Sequence, residues 1–181
     1  PAAAEADIPH VITFSGNREG LSDTEGLDNC AAGLERILPI AEEYNVVLVM
    51  ELLNSKVDHP DYQCDHSSWG VSLCQKLGHP RFKLLYDIYH MQVMEGDVIT
   101  TMRKYIEYFA HFHTAGVPGR HELGAGQELN YPAIASALAA TGYTGFVGHE
   151  FVPTAEDPFL SLAEAVACFS GAGPTGCNGN A

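Results

Sequence analysis

Four ionisable residues interrupt apolar, strand-like runs near their C-terminal ends: Glu51 in VMELLN, Asp87 in LYDIYH, His113 in HFHTAG and Glu150 in GHEFVP. Burying a carboxylate in such a run is costly unless a metal or a charged partner compensates it. A single strand-end carboxylate is more often a helix cap or an ion-pair partner, so it is the repetition in register that points to one shared centre. Two glutamates, an aspartate and a histidine form a mixed oxygen and nitrogen donor set, suited to Mn²⁺, Mg²⁺ or Co²⁺ more than to a structural zinc. The stretch HFHTAGVPGRHELGAGQELNY, from His111 to Tyr131, adds further polar groups beside this set. His111 shares a strand face with His113, where it serves either to orient a carboxylate or as a satisfied core histidine. His149 should point away from Glu150, toward the helices. His121 and Glu122 read as loop-stabilising. His10, His59 and His79 read as loop-surface residues, although His59 lies in the long loop after Glu51 that could cover a site.

The elements that must position these groups alternate regularly. Strand-like runs at 10–16, 46–54, 82–90, 109–116 and 145–153 are followed by helix-like runs at 24–45, 67–78, 97–109, 131–142 and 157–169. Thr24 or Asp28 could cap the first helix, and Pro132 suits a first helical turn. The glycines of GAGQ allow a tight turn into the helix that begins near Tyr131. Such alternation predicts a parallel sheet with helices outside it. An open α/β sheet and a (β/α)₈ TIM-type barrel both fit, and chemistry at several strand ends favours the barrel. The expected organisation is therefore one partial barrel domain over 1–169, holding the last five βα units, and a disordered glycine-rich tail over 170–181.

Composition narrows the partners. At 181 residues and 46% hydrophobic, the chain suits one domain. A net charge of −14 repels phosphate backbones, which argues against nucleic acid. Cys30, Cys64, Cys74, Cys168 and Cys177 are odd in number, scattered and without a C-x-x-C pair, so reduced thiols and a cytoplasmic location are expected. No apolar run approaches the ~18 residues of a membrane span. The chain starts PAAAEAD, without methionine, as though an upstream segment had been removed.

The segments VMELLNSKVDHPDYQCDH, KLLYDIYHMQVMEGD, HFHTAGVPGRHELGAGQELNY and GFVGHEF, taken in that order, resemble the hydroxypyruvate isomerase branch of the xylose-isomerase-like barrel superfamily. This resemblance implies a (β/α)₈ barrel with one divalent metal at Glu51, Asp87, His113 and Glu150, and with His90 and Arg120 contacting the substrate. It also implies aldose-ketose isomerisation of a small hydroxy-carbonyl or sugar, such as hydroxypyruvate or tartronate semialdehyde, through an enediolate. Glu51 and Glu150 would each be both ligand and proton carrier. One position departs from the pattern: hydroxypyruvate isomerases carry Gln in an H-x-Q context at the third ligand, whereas this chain has His113, as the epimerases do. A ketose 3-epimerase on the same site and a non-catalytic metal-binding barrel therefore stay open. A phosphodiesterase like endonuclease IV is disfavoured, because its D-R-H pattern reads Gly119-Arg120-His121 here.

Five units would leave two unpaired sheet edges and an inner face lined by Val47, Val49 and Leu85 open to water. Either the chain is a fragment or another chain completes the sheet, and a homo-oligomer is expected.

Overall fold

A computed structural model describes residues 1–170. Five strands, β1 (His10–Thr13), β2 (Val47–Glu51), β3 (Phe82–Asp87), β4 (Phe109–Thr114) and β5 (Phe146–His149), form one parallel sheet in chain order. The helices are α1 (Ala2–Glu5), α2 (Asp23–Glu35), α3 (Leu38–Glu43), α4 (Ser67–Leu77), α5 (Ile88–Met94), α6 (Val98–Tyr105), α7 (Tyr131–Ala139) and α8 (Pro158–Phe169). The sheet curls into a half-barrel of βα units, as the strand-helix alternation predicts. Apart from Ser170, which caps α8, the tail expected over 170–181 lies outside the described residues. No described helix is long and apolar enough to cross a membrane.

Strand alternation builds two faces. Leu48, Met50, Leu84, Tyr86 and Phe112 lie in the main core with the helices. Val49, Glu51, Leu85, Asp87 and His113 take the alternate positions, on the concave side of the sheet. Val49 and Leu85 are fully buried and Val47 is half-buried, so the middle of the inner face is covered, whereas Ile12 and Phe146, on the same face of the edge strands, are 42% and 57% exposed. The reason is the curl. It brings the imidazole of His10 to 3.4 Å from that of His111, and its ring to 5.8 Å from that of Phe146, so β1 and β5 approach each other across the interior. His10 is thus a half-buried residue of the inner face, not a loop-surface one.

Three local expectations change. The helix expected over 24–45 is two helices, because Pro39 has no N–H to donate and its ring would clash with the Glu35 carbonyl if α2 ran on; Pro39 sits instead in the first turn of α3. Ser22, not Thr24 or Asp28, caps α2, and its side chain and that of Glu25 form a reciprocal capping box. The run 82–90 is not all strand: β3 stops at Asp87, whose carboxylate accepts from the His90 N–H at 3.1 Å and starts α5. His90 therefore stands on a helix.

Candidate metal centre

The end of the half-barrel gathers the four predicted ligands. Glu51 ends β2, Asp87 ends β3, His113 is the penultimate residue of β4, and Glu150 follows β5. Parallel pairing sets Asp87 beside His113 and His113 beside Gly148. A Cβ on Gly148 would lie 3.1 Å from His113 Cδ2 and 3.4 Å from His111 Nε2, so the missing side chain leaves room for both imidazoles. One ligand atom from each of Glu51, Asp87, His113 and Glu150 falls within 4.8 Å of all the others. The first three are buried, whereas the Glu150 side chain is 53% exposed.

His113 Nδ1 occupies the point where the carboxylates converge, 3.0 Å from Glu51 Oε1, 3.1 Å from Glu150 Oε2 and 3.9 Å from Asp87 Oδ2. Burial pulls its pKa down, but the hydrogen bonds to Glu150 and Glu51 outweigh it and raise the pKa to about 9. Burial raises the Asp87 carboxyl to about 7, against the opposing pull of Arg120. The hydrogen bond from His113 leads in lowering Glu150 to about 2, with Arg120 assisting against burial. Three carboxylates thus share one centre, balanced by the His113 imidazolium, the Arg120 guanidinium and the partly protonated Asp87. Three carboxylates and one imidazole within 4.8 Å of one another make a donor set dominated by oxygen. The residues present fit an oxygen-preferring divalent ion.

Arg120 reaches the centre from the loop after β4. Its guanidinium lies 2.6 Å from Glu150 Oε2 and 3.4 Å from Asp87 Oδ2, and 5.3 Å from the centre of the Tyr89 ring. Its backbone is left-handed, at φ 58°, a conformation held by contacts on both sides. The Arg120 N–H donates to the Gly116 carbonyl at 2.9 Å, and its own carbonyl accepts from the Val152 N–H at 2.7 Å. A Cβ at Gly116 would lie 2.4 Å from the Glu122 carbonyl oxygen, so this crossing requires glycine. Glu122 accepts from the Thr154 N–H and hydroxyl and from the Ser161 hydroxyl, and His121 donates to the Val152 carbonyl. These two residues hold the loop, as expected, and tie the Arg120 segment to the one carrying Glu150.

His90 is fully buried, with Nε2 3.7 Å from Asp87 Oδ2 and no hydrogen-bond partner for that atom among the described residues. The His59 ring stands edge-on to it at 5.3 Å, so His59 is half-buried against the site and not on the loop surface. Of the two roles open to His111, orienting a carboxylate is not observed: its ring stacks on Phe146 and meets His10 and His113. His149 turns toward α8, where its ring meets Phe169.

Several supporting residues carry no motif of their own. Tyr131 both donates to the Ala115 carbonyl and accepts its N–H, which fixes the exit of β4. Tyr62 donates to the Glu51 carbonyl and fixes the exit of β2. Asn54, Asp58 and Tyr89 form a hydrogen-bonded set beside His90. Only Asn54 has a sequence signal, as a turn-forming residue three positions after Glu51.

Relatives share this architecture. The chain is 35% identical over 114 residues to a putative hydroxypyruvate isomerase of Homo sapiens, covering 63% of this chain and 41% of that protein. It is 36% identical over 115 residues to a 2-oxo-tetronate isomerase of Cupriavidus necator, covering 64% and 44%. It thus spans less than half the length of either relative. A crystal structure of AP endonuclease, family 2 from Brucella melitensis superposes with a TM-score of 0.83 at 28% identity, over 95% of this chain and 64% of that one. The family model described as xylose isomerase-like TIM barrel matches residues 1–169, and the chain belongs to that family.

Proposed function

We propose that this centre catalyses metal-dependent isomerisation of a small hydroxy-carbonyl acid or sugar, in the class of hydroxypyruvate, tartronate semialdehyde and 2-oxo-tetronate. The observation that carries this reading is the convergence of Glu51, Asp87, His113 and Glu150 within 4.8 Å. Relatives named hydroxypyruvate isomerase and 2-oxo-tetronate isomerase support the substrate class.

A divalent cation held by these four residues would supply Lewis acidity toward two adjacent substrate oxygens. Glu51 comes from β2 and Glu150 from beyond β5, so the two carboxylates approach from opposite sides of the centre. The carboxylate that takes the proton α to the carbonyl is then the acid that returns it to the neighbouring carbon of the enediolate, while the other carries the hydroxyl proton from one substrate oxygen to the other. A carboxylate near 2 is a weak base, but the bonds that hold Glu150 there, from His113 and Arg120, are the ones ligand binding would exchange. Arg120 grips a substrate carboxylate or oxygen as a planar fork. Arg120→Ala is expected to raise KM roughly 10- to 100-fold, the value of a charge-assisted hydrogen bond, with a smaller change in kcat. A variant with unchanged KM would remove that role.

The test is a chain loaded with Mn²⁺, Mg²⁺ or Co²⁺, metal content measured, and assayed on hydroxypyruvate, tartronate semialdehyde, 2-oxo-tetronate, ketoses and ketose phosphates. Turnover of the hydroxy-acids supports the isomerase. His113 at the third ligand position favours a second reading, ketose 3-epimerisation, for which product NMR would show inversion with the carbonyl unmoved. Stoichiometric metal without turnover of any of these would mean a non-catalytic metal-binding barrel. A net charge of −14 argues against a nucleic-acid substrate.

We also propose that the chain works as a homo-oligomer. β1 and β5 are the sheet edges, and Ile12, Phe14, Phe146, Val152, Phe159 and Leu160 are exposed on or near them. Light scattering at micromolar concentration should give at least a dimer, with an interface above roughly 1,200 Å² in total. A monodisperse monomer with a cooperative thermal transition would contradict it.

A further inference from the structure

We propose that Asn54 is a positioning residue: it locks His90 as the Nε2–H tautomer, so that His90 offers a fixed hydrogen-bond donor to a substrate oxygen and not an acceptor. The donor's use on substrate rests on the isomerase reading above; the lock itself does not.

The lock follows from which atoms can donate. Asn54 is fully buried. Its Oδ1 lies 3.0 Å from the Val57 N–H and 2.9 Å from the Asp58 N–H. A backbone N–H can only donate, so the side-chain atom facing two of them must be the oxygen. The other atom is therefore the amide nitrogen, 2.6 Å from Asp58 Oδ2 and 2.7 Å from His90 Nδ1. Turning the amide over would set an oxygen against the Asp58 carboxylate and an NH₂ against two N–H groups. Since the amide nitrogen can only donate, His90 Nδ1 must accept and carries no proton. A neutral imidazole has one proton, which is then on Nε2.

That Nε2–H is the buried donor without a partner, 3.7 Å from Asp87 Oδ2 and thus beside the ligand cluster but beyond hydrogen-bond reach of it. The His90 backbone N–H is tied to Asp87 Oδ1, and the rings of Tyr89 and His59 stand edge-on at 5.1 and 5.3 Å, so the imidazole has little freedom to turn. In the opposite tautomer a lone pair would face the lone pairs of a substrate carbonyl or enediolate oxygen and repel it. The same network reaches the mouth of the site: Asp58 accepts from Asn54 and from the Tyr89 hydroxyl at 2.8 Å, and Arg120 lies over the Tyr89 ring. The turn after β2 therefore sets the hydrogen-bonding sense of a residue on α5.

The experiment is long-range ¹H–¹⁵N correlation of the histidine rings in the ¹⁵N-labelled chain at neutral pH without substrate, with His90 assigned by its loss in His90→Gln. The expected spectrum has His90 Nδ1 in the unprotonated shift range and Nε2 in the protonated range. Asn54→Asp paired with Asp58→Asn keeps an oxygen toward the two backbone N–H groups and a hydrogen bond between positions 54 and 58, but puts an oxygen against His90, so the proton should appear on Nδ1. A proton on Nδ1 in the unmodified chain overturns the lock, and that measurement decides even if the variant fails to fold. A folded double variant with Nδ1 still unprotonated also overturns it. If a substrate is turned over, the double variant should lower kcat at least ten-fold and by more than it changes KM; an unchanged kcat would refute the donor role. The stated tautomer in a chain that isomerises nothing would leave the lock standing and sink the isomerase reading instead.

Discussion

Glu150→Gln is expected to lower isomerisation turnover by ~10²- to 10⁴-fold, the range of a lost general acid or base, with divalent cation in excess. Glutamine keeps the volume of the side chain and one oxygen that can face a cation, but it cannot take up a proton. Glu150 is also the most exposed of the four clustered residues, with 53% of its side chain open to solvent, so the weakened pairing with His113 and Arg120 should cost the fold no more than about 1 kcal/mol. A loss of rate in a chain that still melts normally and still binds metal would therefore be a loss of chemistry. Kinetics paired with metal analysis of the same sample checks this. Near-normal turnover would show that Glu150 carries no proton.

Metal removal should have the next largest effect. Three carboxylates meet around His113, and burial holds the Asp87 carboxyl near 7, so a cation that binds there would favour its ionised form and stabilise the folded state. A cation at 100 times its Kd stabilises the folded chain by about 2.7 kcal/mol. At about 2–4 °C per kcal/mol for a chain of this size, Tm should rise roughly 5–10 °C on adding Mn²⁺, Mg²⁺ or Co²⁺ to chelator-treated protein. Protein concentration must be held constant, because assembly also shifts Tm. Asp87→Ala should abolish the increment, besides lowering the starting Tm by about 1 kcal/mol worth of lost α5 cap. No shift and no bound metal in the unmodified chain would rule out the metal centre.

Strand number, strand order of appearance and the four clustered residues are legible in the sequence for one reason. A strand covered on both faces is a continuous apolar run, so a charged residue inside it is conspicuous, and Glu51, Asp87 and His113 each stand out against their neighbours. Helix breaks are less legible. Ile88, Tyr89 and His90 continue an apolar pattern that a strand and a buried helix share, and only the Asp87 carboxylate folding back onto the His90 N–H shows that α5 has begun. The same ambiguity hid Pro39 as a break, since proline is also at home in a first helical turn.

The amino-acid pattern by itself determined the βα repeat and which residues stand at the strand ends, because both depend on neighbours within one or two turns of chain. Tertiary structure decided what those residues meet. The middle of the inner face is covered because the curl brings His10 to His111, 101 positions away. Arg120 meets Asp87 and Glu150, 33 and 30 positions away, because Gly116 lets the loop cross close to the Glu122 backbone. The protonated nitrogen of His90 is set by Asn54, 36 positions earlier. None of these contacts leaves a period in the sequence, since each joins segments whose separation is fixed only when the sheet has curled and its loops have packed over it.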